Sequence, residues 1–171
     1  NPCSEAARGY YLGEVVNDTL TGIVIGPCHD QEGCTTHDES CITQDGYEMK
    51  LSCEQTNVSY YLTRTRTDIS TPCVSQANCV TDLASCVNAS VRPEYLGNLT
   101  CDTPSIGYYV DADGVTLSCI AQTQCNTSSA ECLTATSHED KLSCMIPNLG
   151  HFVYNGIVDV CVQQTGCETS D

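Results

Sequence analysis

Tryptophan is absent from this chain of 171 residues, phenylalanine occurs once and methionine twice. So little bulky apolar material cannot fill one large core, so stability has to come from cross-links. Basic residues are scarce too. Six Lys and Arg against 22 Asp and Glu leave a net charge of -16, which repels nucleic acid and anionic membrane surfaces. No apolar run approaches the roughly eighteen residues of a membrane-spanning helix. There is no initiator methionine and no charged-then-apolar leader, so the chain reads as a mature or excised segment. Paired C-x2-C knuckles are missing, which argues against a zinc array. No G-x-S-x-G or H-E-x-x-H occurs, and the histidines fall at non-equivalent places. His138 reads as part of a solvated turn and His151 as a packing residue, and the expectation is that the protein is not an enzyme.

Cysteine is abundant instead, with fifteen residues. They fall into a unit a, b, c, d that recurs: Cys3, Cys28, Cys34, Cys41; Cys53, Cys73, Cys79, Cys86; Cys101, Cys119, Cys125, Cys132; and Cys144, Cys161, Cys167. Five residues always separate b from c and six always separate c from d. Six residues after each a stands a small residue followed by an aromatic pair: Gly9-Tyr10-Tyr11, Ser59-Tyr60-Tyr61, Gly107-Tyr108-Tyr109, Gly150-His151-Phe152. Three residues after each b comes a glutamine (Gln31, Gln76, Gln122, Gln164), and two after each c a threonine (Thr36, Thr81, Thr127, Thr169). A fixed period of about 45 residues is the signature of a tandem array. The modules run 1–52, 53–100, 101–143 and an incomplete 144–171.

Each a to b segment reads as a β-hairpin. Asn155-Gly156 between His151–Tyr154 and Ile157–Val160 is a two-residue turn whose residues tolerate positive φ. Asp111–Gly114 turns the third hairpin; its acidic pattern also echoes the start of a calcium loop, but without the later ligands. The d to a connectors read as strand, turn, strand around Asp45-Gly46, and the b to d stretches, which lack periodicity, as disulfide-held loops. The expected fold is small, disulfide-rich and mainly β: about four hairpin modules stacked as an elongated rod.

Cysteine at this density implies an oxidising compartment. Five sequons agree with secretion, at Asn17, Asn57, Asn88, Asn98 and Asn126. Four cysteines per unit allow three connectivities, and spacing does not decide among them.

The string Cys, five residues, Gly-Tyr-Tyr, hairpin, Cys resembles the terminal hairpin of EGF-like modules and the furin-like cysteine-rich modules of extracellular and protist surface proteins. The resemblance covers about twenty residues of each copy, and the following C-x5-C-x6-C departs from those families. It implies a bonded to b, and with it c to d: Cys3–Cys28, Cys34–Cys41, Cys53–Cys73, Cys79–Cys86, Cys101–Cys119, Cys125–Cys132 and Cys144–Cys161. Cys167 is then the odd or intermolecular thiol, whereas a with c and b with d would leave Cys161. A smaller resemblance is to peritrophin-type chitin-binding modules, whose long gap followed by five or six residues matches Cys101, Cys119 and Cys125.

These readings converge on an extracellular, glycosylated structural repeat protein forming a surface coat, stalk or filament. It would self-associate head to tail or continue into a longer array, with N-linked glycans and no other cofactor, calcium being the weaker option at Asp111–Gly114. The alternative is a binding ectodomain: an adhesion protein, a surface antigen or a carbohydrate-binding module.

Overall fold

The computed structural model describes residues 5–13, 23–43, 46–47, 49–63 and 66–163. Strands dominate, and among these residues there is no α-helix, only a single 3-10 turn at Pro93–Tyr95. Two kinds of antiparallel hairpin alternate along the chain, giving seven two-stranded sheets.

The first kind is the a to b hairpin expected from sequence. β1 (Tyr10–Gly13) pairs with β2 (Ile23–Pro27), β5 (Tyr60–Thr63) with β6 (Arg66–Pro72), β9 (Tyr108–Val110) with β10 (Thr116–Ser118), and β13 (His151–Tyr154) with β14 (Ile157–Val160). Asn155 and Gly156 adopt φ of 50° and 78°, so both turn residues take the positive φ that this tight reversal requires. Tyr154 is directly opposite Ile157 as a result.

The second kind corrects the sequence reading. The c to d stretches are not loops but eight-residue strands: β3 (Cys34–Cys41), β7 (Cys79–Cys86) and β11 (Cys125–Cys132). Their partners are β4 (Leu51–Thr56), β8 (Leu99–Pro104) and β12 (Leu142–Pro147), which lead into the following hairpins. The connector hairpin therefore exists, but its first arm lies upstream of Ile42. The β3–β4 and β11–β12 ladders each carry three register irregularities, so exposure does not alternate along β3. A bulged strand that is mostly solvated on both faces leaves no period of two to read.

The pairing of β4 with β3 also decides the disulfides. Cys53 lies on β4, where it is paired with His37 on the preceding repeat's strand. The bonds are accordingly b to d within a repeat (Cys28–Cys41, Cys73–Cys86, Cys119–Cys132) and c to the next a (Cys34–Cys53, Cys79–Cys101, Cys125–Cys144). None of the expected bonds Cys3–Cys28, Cys34–Cys41, Cys53–Cys73, Cys79–Cys86, Cys101–Cys119, Cys125–Cys132 or Cys144–Cys161 forms. A scheme closed within each four-cysteine unit fails because every described a cysteine reaches back one repeat. Cys161 is the free cysteine among the described residues, while Cys3 and Cys167 lie outside them.

Burial follows the same register. The residue after each d is buried (Ile42, Val87, Leu133), as are the a cysteines Cys53, Cys101 and Cys144. The hairpin residues four before b, Ile69 and Val115, are the most deeply buried side chains. The backbone contacts divide the chain into two compact units. One is Asn1–Val74 with Leu83–Leu99, and the other is Ser75–Asp82 with Thr100–Asp171. The short segment Ser75–Asp82, carrying Gln76 and Cys79, is thus grouped with the third hairpin and not with the hairpin that precedes it.

Replacing Ile69 with Ala should destabilise the oxidised protein by about 2–5 kcal/mol. Val80→Ala, at a side chain that is 68% exposed, should change stability little. Thermal or denaturant unfolding of the two variants checks this, and equal effects would show that Ile69 is not a core residue.

Candidate functional site

Each repeat junction is organised around the glutamine three residues after b. The side-chain Nε2 of Gln31 donates to the Leu51 carbonyl at 2.8 Å and to the Asp68 carbonyl, and its Oε1 accepts from the Ser70 N–H at 3.0 Å. Gln122 repeats the pattern, donating to Leu142 at 2.9 Å and to Gly156, and accepting from the Val158 N–H at 3.0 Å. Gln76 donates to the Gly114 carbonyl and accepts from the Thr116 N–H at 3.0 Å. In every case the groups bound are the carbonyl five residues before the next b and the amide three before it. A side-chain amide carries the same donor and acceptor as a peptide group, so it serves as one extra rung on the outer edge of the hairpin. Gln31 and Gln76 are buried, where an unpaired amide would be costly; here each binds on both sides.

The residue before each c has positive φ: Gly33 at 71°, Asn78 at 63° and Gln124 at 66°. That local reversal turns its carbonyl toward the residue four after the next a, giving Asn57 N–H to Gly33 at 2.7 Å, Ser105 to Asn78 at 2.8 Å and Asn148 to Gln124 at 2.8 Å. Glycine at 33 has a second reason. A Cβ there would fall 2.2 Å from the ring of Tyr60, so the ring lies directly on the glycine. Tyr61 covers Gly97 in the same way. The aromatic pair of the second repeat therefore packs on neighbouring backbone, and Tyr60 also lines a groove with Tyr47, Lys50 and Pro72. The Tyr60 hydroxyl donates to Glu32 at 3.1 Å, and that hydrogen bond, followed by partial burial and the carboxylate charge, holds the phenol above its ordinary 10.0. A raised folded pKa means that this bond contributes below pH 10 and is lost as pH rises through the folded value.

Asp111 Oδ1 accepts from the N–H groups of Asp113 and Val115 at 2.9 and 3.0 Å, so it organises its own turn. Among the described residues no three His, Cys, Asp or Glu side chains are grouped as a cation site. Of the sequon asparagines, Asn57, Asn88 and Asn126 are exposed and Asn98 is half-buried, while Asn17 lies outside the described residues. His151 is half-buried at the start of β13, with Nδ1 3.3 Å from the Leu149 carbonyl. His138 lies in the connector before β12, where its carbonyl accepts the Lys141 N–H.

The sequence register located the glutamines and the aromatic pairs. It did not single out the aliphatic residue after d or the positive-φ position before c. The first could have been found in the same alignment, since Ile42, Val87 and Leu133 are aliphatic in each copy. The second was harder to see, because glycine in one copy and the carboxamides Asn and Gln in the others do not form one recognisable turn signature. No protein-family model, no curated protein and no solved structure matches this chain.

Changing Gln122 to Glu should destabilise the protein at neutral pH, since a carboxylate would face the Leu142 and Gly156 carbonyls with no proton to donate. Burial and those carbonyls favour the protonated acid and raise its folded pKa. Its contribution is then fully present below the unfolded value, about 4.3, and is lost as pH rises through the folded value. Unfolding followed from pH 4 to pH 8 should show the variant closest to wild type at the acid end, and a pH-independent deficit would contradict the clamp.

Proposed function

We propose that this is an extracellular, glycosylated structural repeat protein, a building element of a surface coat, stalk or filament. The observation that carries the reading is the pair of interlaced disulfides at each junction. Cys28–Cys41 overlaps Cys34–Cys53, Cys73–Cys86 overlaps Cys79–Cys101, and Cys119–Cys132 overlaps Cys125–Cys144. Cross-links that pass from one repeat into the next serve mechanical and proteolytic resistance, which a structural element needs.

The six disulfides among the described residues need an oxidising environment to form. Exposure of Asn57, Asn88 and Asn126 leaves their side chains open to glycan transfer. No helix among the described residues is long and apolar enough to cross a membrane.

Antibody raised against the chain should label unpermeabilised cells of its source, and enzymatic removal of N-glycans should lower the apparent mass of the native protein. Label confined to permeabilised cells, or unmodified asparagine at every sequon, would contradict this function.

A further inference from the structure

The repeat register places the same kinds of residue at each junction, and against that background the first junction differs. Glu32 stands four residues after b, where the second and third copies have Ala77 and Thr123. Lys50 stands three residues before a, where the later copies have Asn98 and a Lys141 that pairs with Asp140 at 3.0 Å. Glu32, Tyr47, Lys50, Tyr60 and Ser70 line a groove of about 280 Å³, and all five belong to the first compact unit.

One wall of this groove is fixed in advance. The Tyr60 ring lies on Gly33, and its hydroxyl donates to Glu32 Oε1 at 3.1 Å, a single bond that leaves the carboxylate further acceptor capacity. Tyr47 is half-buried and Lys50 exposed, and the Tyr47 carbonyl accepts the Lys50 N–H at 3.1 Å, so one short turn supplies both side chains. Ser70 adds a buried Oγ with no hydrogen-bond partner, a costly state that a bound hydroxyl would relieve. The turn that leads into Tyr60 is itself a sequon. Asn57 is exposed, its N–H donates to the Gly33 carbonyl at 2.7 Å, and its carbonyl accepts the Tyr60 N–H at 3.0 Å.

We infer that this groove binds one neutral pyranose ring of an N-linked glycan. Tyrosine rings offer apolar faces to the C–H face of a sugar, while sugar hydroxyls, each both donor and acceptor, match the carboxylate, ammonium and hydroxyl groups around them. Glu32 and Lys50 contribute one charge of each sign, and the net charge of -16 disfavours an acidic glycan. The volume lies at the lower end of the range for ligand pockets, about 300 Å³ upward, which suits a single ring. That ring comes either from the glycan on Asn57 or from a glycan of another molecule, where it would tether neighbouring chains. The inference goes beyond the structural reading above: the Asn57 source rests on the glycosylation in that reading, whereas the groove does not.

In the test, the full oxidised chain, isotope-labelled and freed of N-glycans by enzyme, is titrated with methyl α-mannoside and with methyl N-acetyl-β-glucosaminide while its amide NMR spectrum is followed. The amides of Tyr47, Lys50, Tyr60 and Ser70 should shift saturably with at least one glycoside, at a millimolar Kd, since a single ring has few atoms to bind with. Tyr47→Ala and Glu32→Ala should each weaken binding at least about tenfold, whereas Tyr47→Phe should retain it. Amide shifts away from the groove, unchanged in all three variants, separate lost binding from lost fold. The glycosylated chain then identifies the source. If Asn57 supplies the ring, the groove amides already sit at their shifted positions and respond to added glycoside only after Asn57→Gln; if another molecule supplies it, they respond in both. No saturable shift at the groove amides up to about 100 mM of either glycoside, or equal affinity in Tyr47→Ala and Glu32→Ala, would overturn the proposal. An Asn57 without glycan would contradict the glycosylation reading alone, since free glycoside tests the groove separately.

Discussion

A repeat of this chain does not close its own cross-links, because the strand bearing its first cysteine is paired with the repeat before it. Cys53 on β4 is held against β3, and Cys144 on β12 against β11, and their disulfides run to Cys34 and Cys125 on those strands. Each such bond closes a loop of 19 residues, worth about 3 kcal/mol in the chain-entropy account. With no tryptophan and few large side chains, that covalent term does what a core of larger volume does elsewhere. The small apolar contribution sits beside it, in Ile42 and Ile69 of one unit and Leu133 of the other.

Covalent and non-covalent parts of the design alternate. Residues between b and the next a are locked by two interlaced disulfides, whereas the segments from Cys53 to Cys73 and from Cys101 to Cys119 carry no cross-link. Tension along the chain would therefore be borne by disulfides in one segment and by a hairpin in the next. The glutamine rung is placed where that alternation is weakest, since Gln31 and Gln122 are fixed next to a locked segment and bind the edge of the unlocked hairpin. Three hydrogen bonds of roughly 1 kcal/mol net each are modest in total, but they are directed at the one element without a covalent brace.

Much of the a to b hairpin was legible because turn chemistry is local: Asn155-Gly156 needs no tertiary context to be recognised. The glutamine was legible as a fixed position but not as a clamp, because its partners, such as Asp68 and Ser70, lie 37 and 39 residues away. The c to d strands were hidden by their bulges and solvation. The disulfides were hidden for a different reason. Counting in units of four assumed that a repeat in sequence is also a unit in space, whereas the compact units cut between Val74 and Ser75, just after b. Resemblance to a hairpin stapled at its base reinforced that assumption, and nothing in the spacing of Cys53 from Cys34 or from Cys73 corrects it.

The most direct test is a disulfide map of the folded, unreduced protein by proteolysis and mass spectrometry, with thiols blocked beforehand. Cleavage at Lys50 separates Cys34 from Cys53, and cuts after Glu32 and Glu39 separate Cys34 from Cys28 and Cys41, so a linked pair containing Cys34 and Cys53 is then diagnostic. The account predicts Cys34 joined to Cys53 and Cys125 joined to Cys144, with Cys161 carrying the blocking group. Peptides joining Cys53 to Cys73 and Cys101 to Cys119 would contradict it, since they would return each repeat to a unit closed on itself.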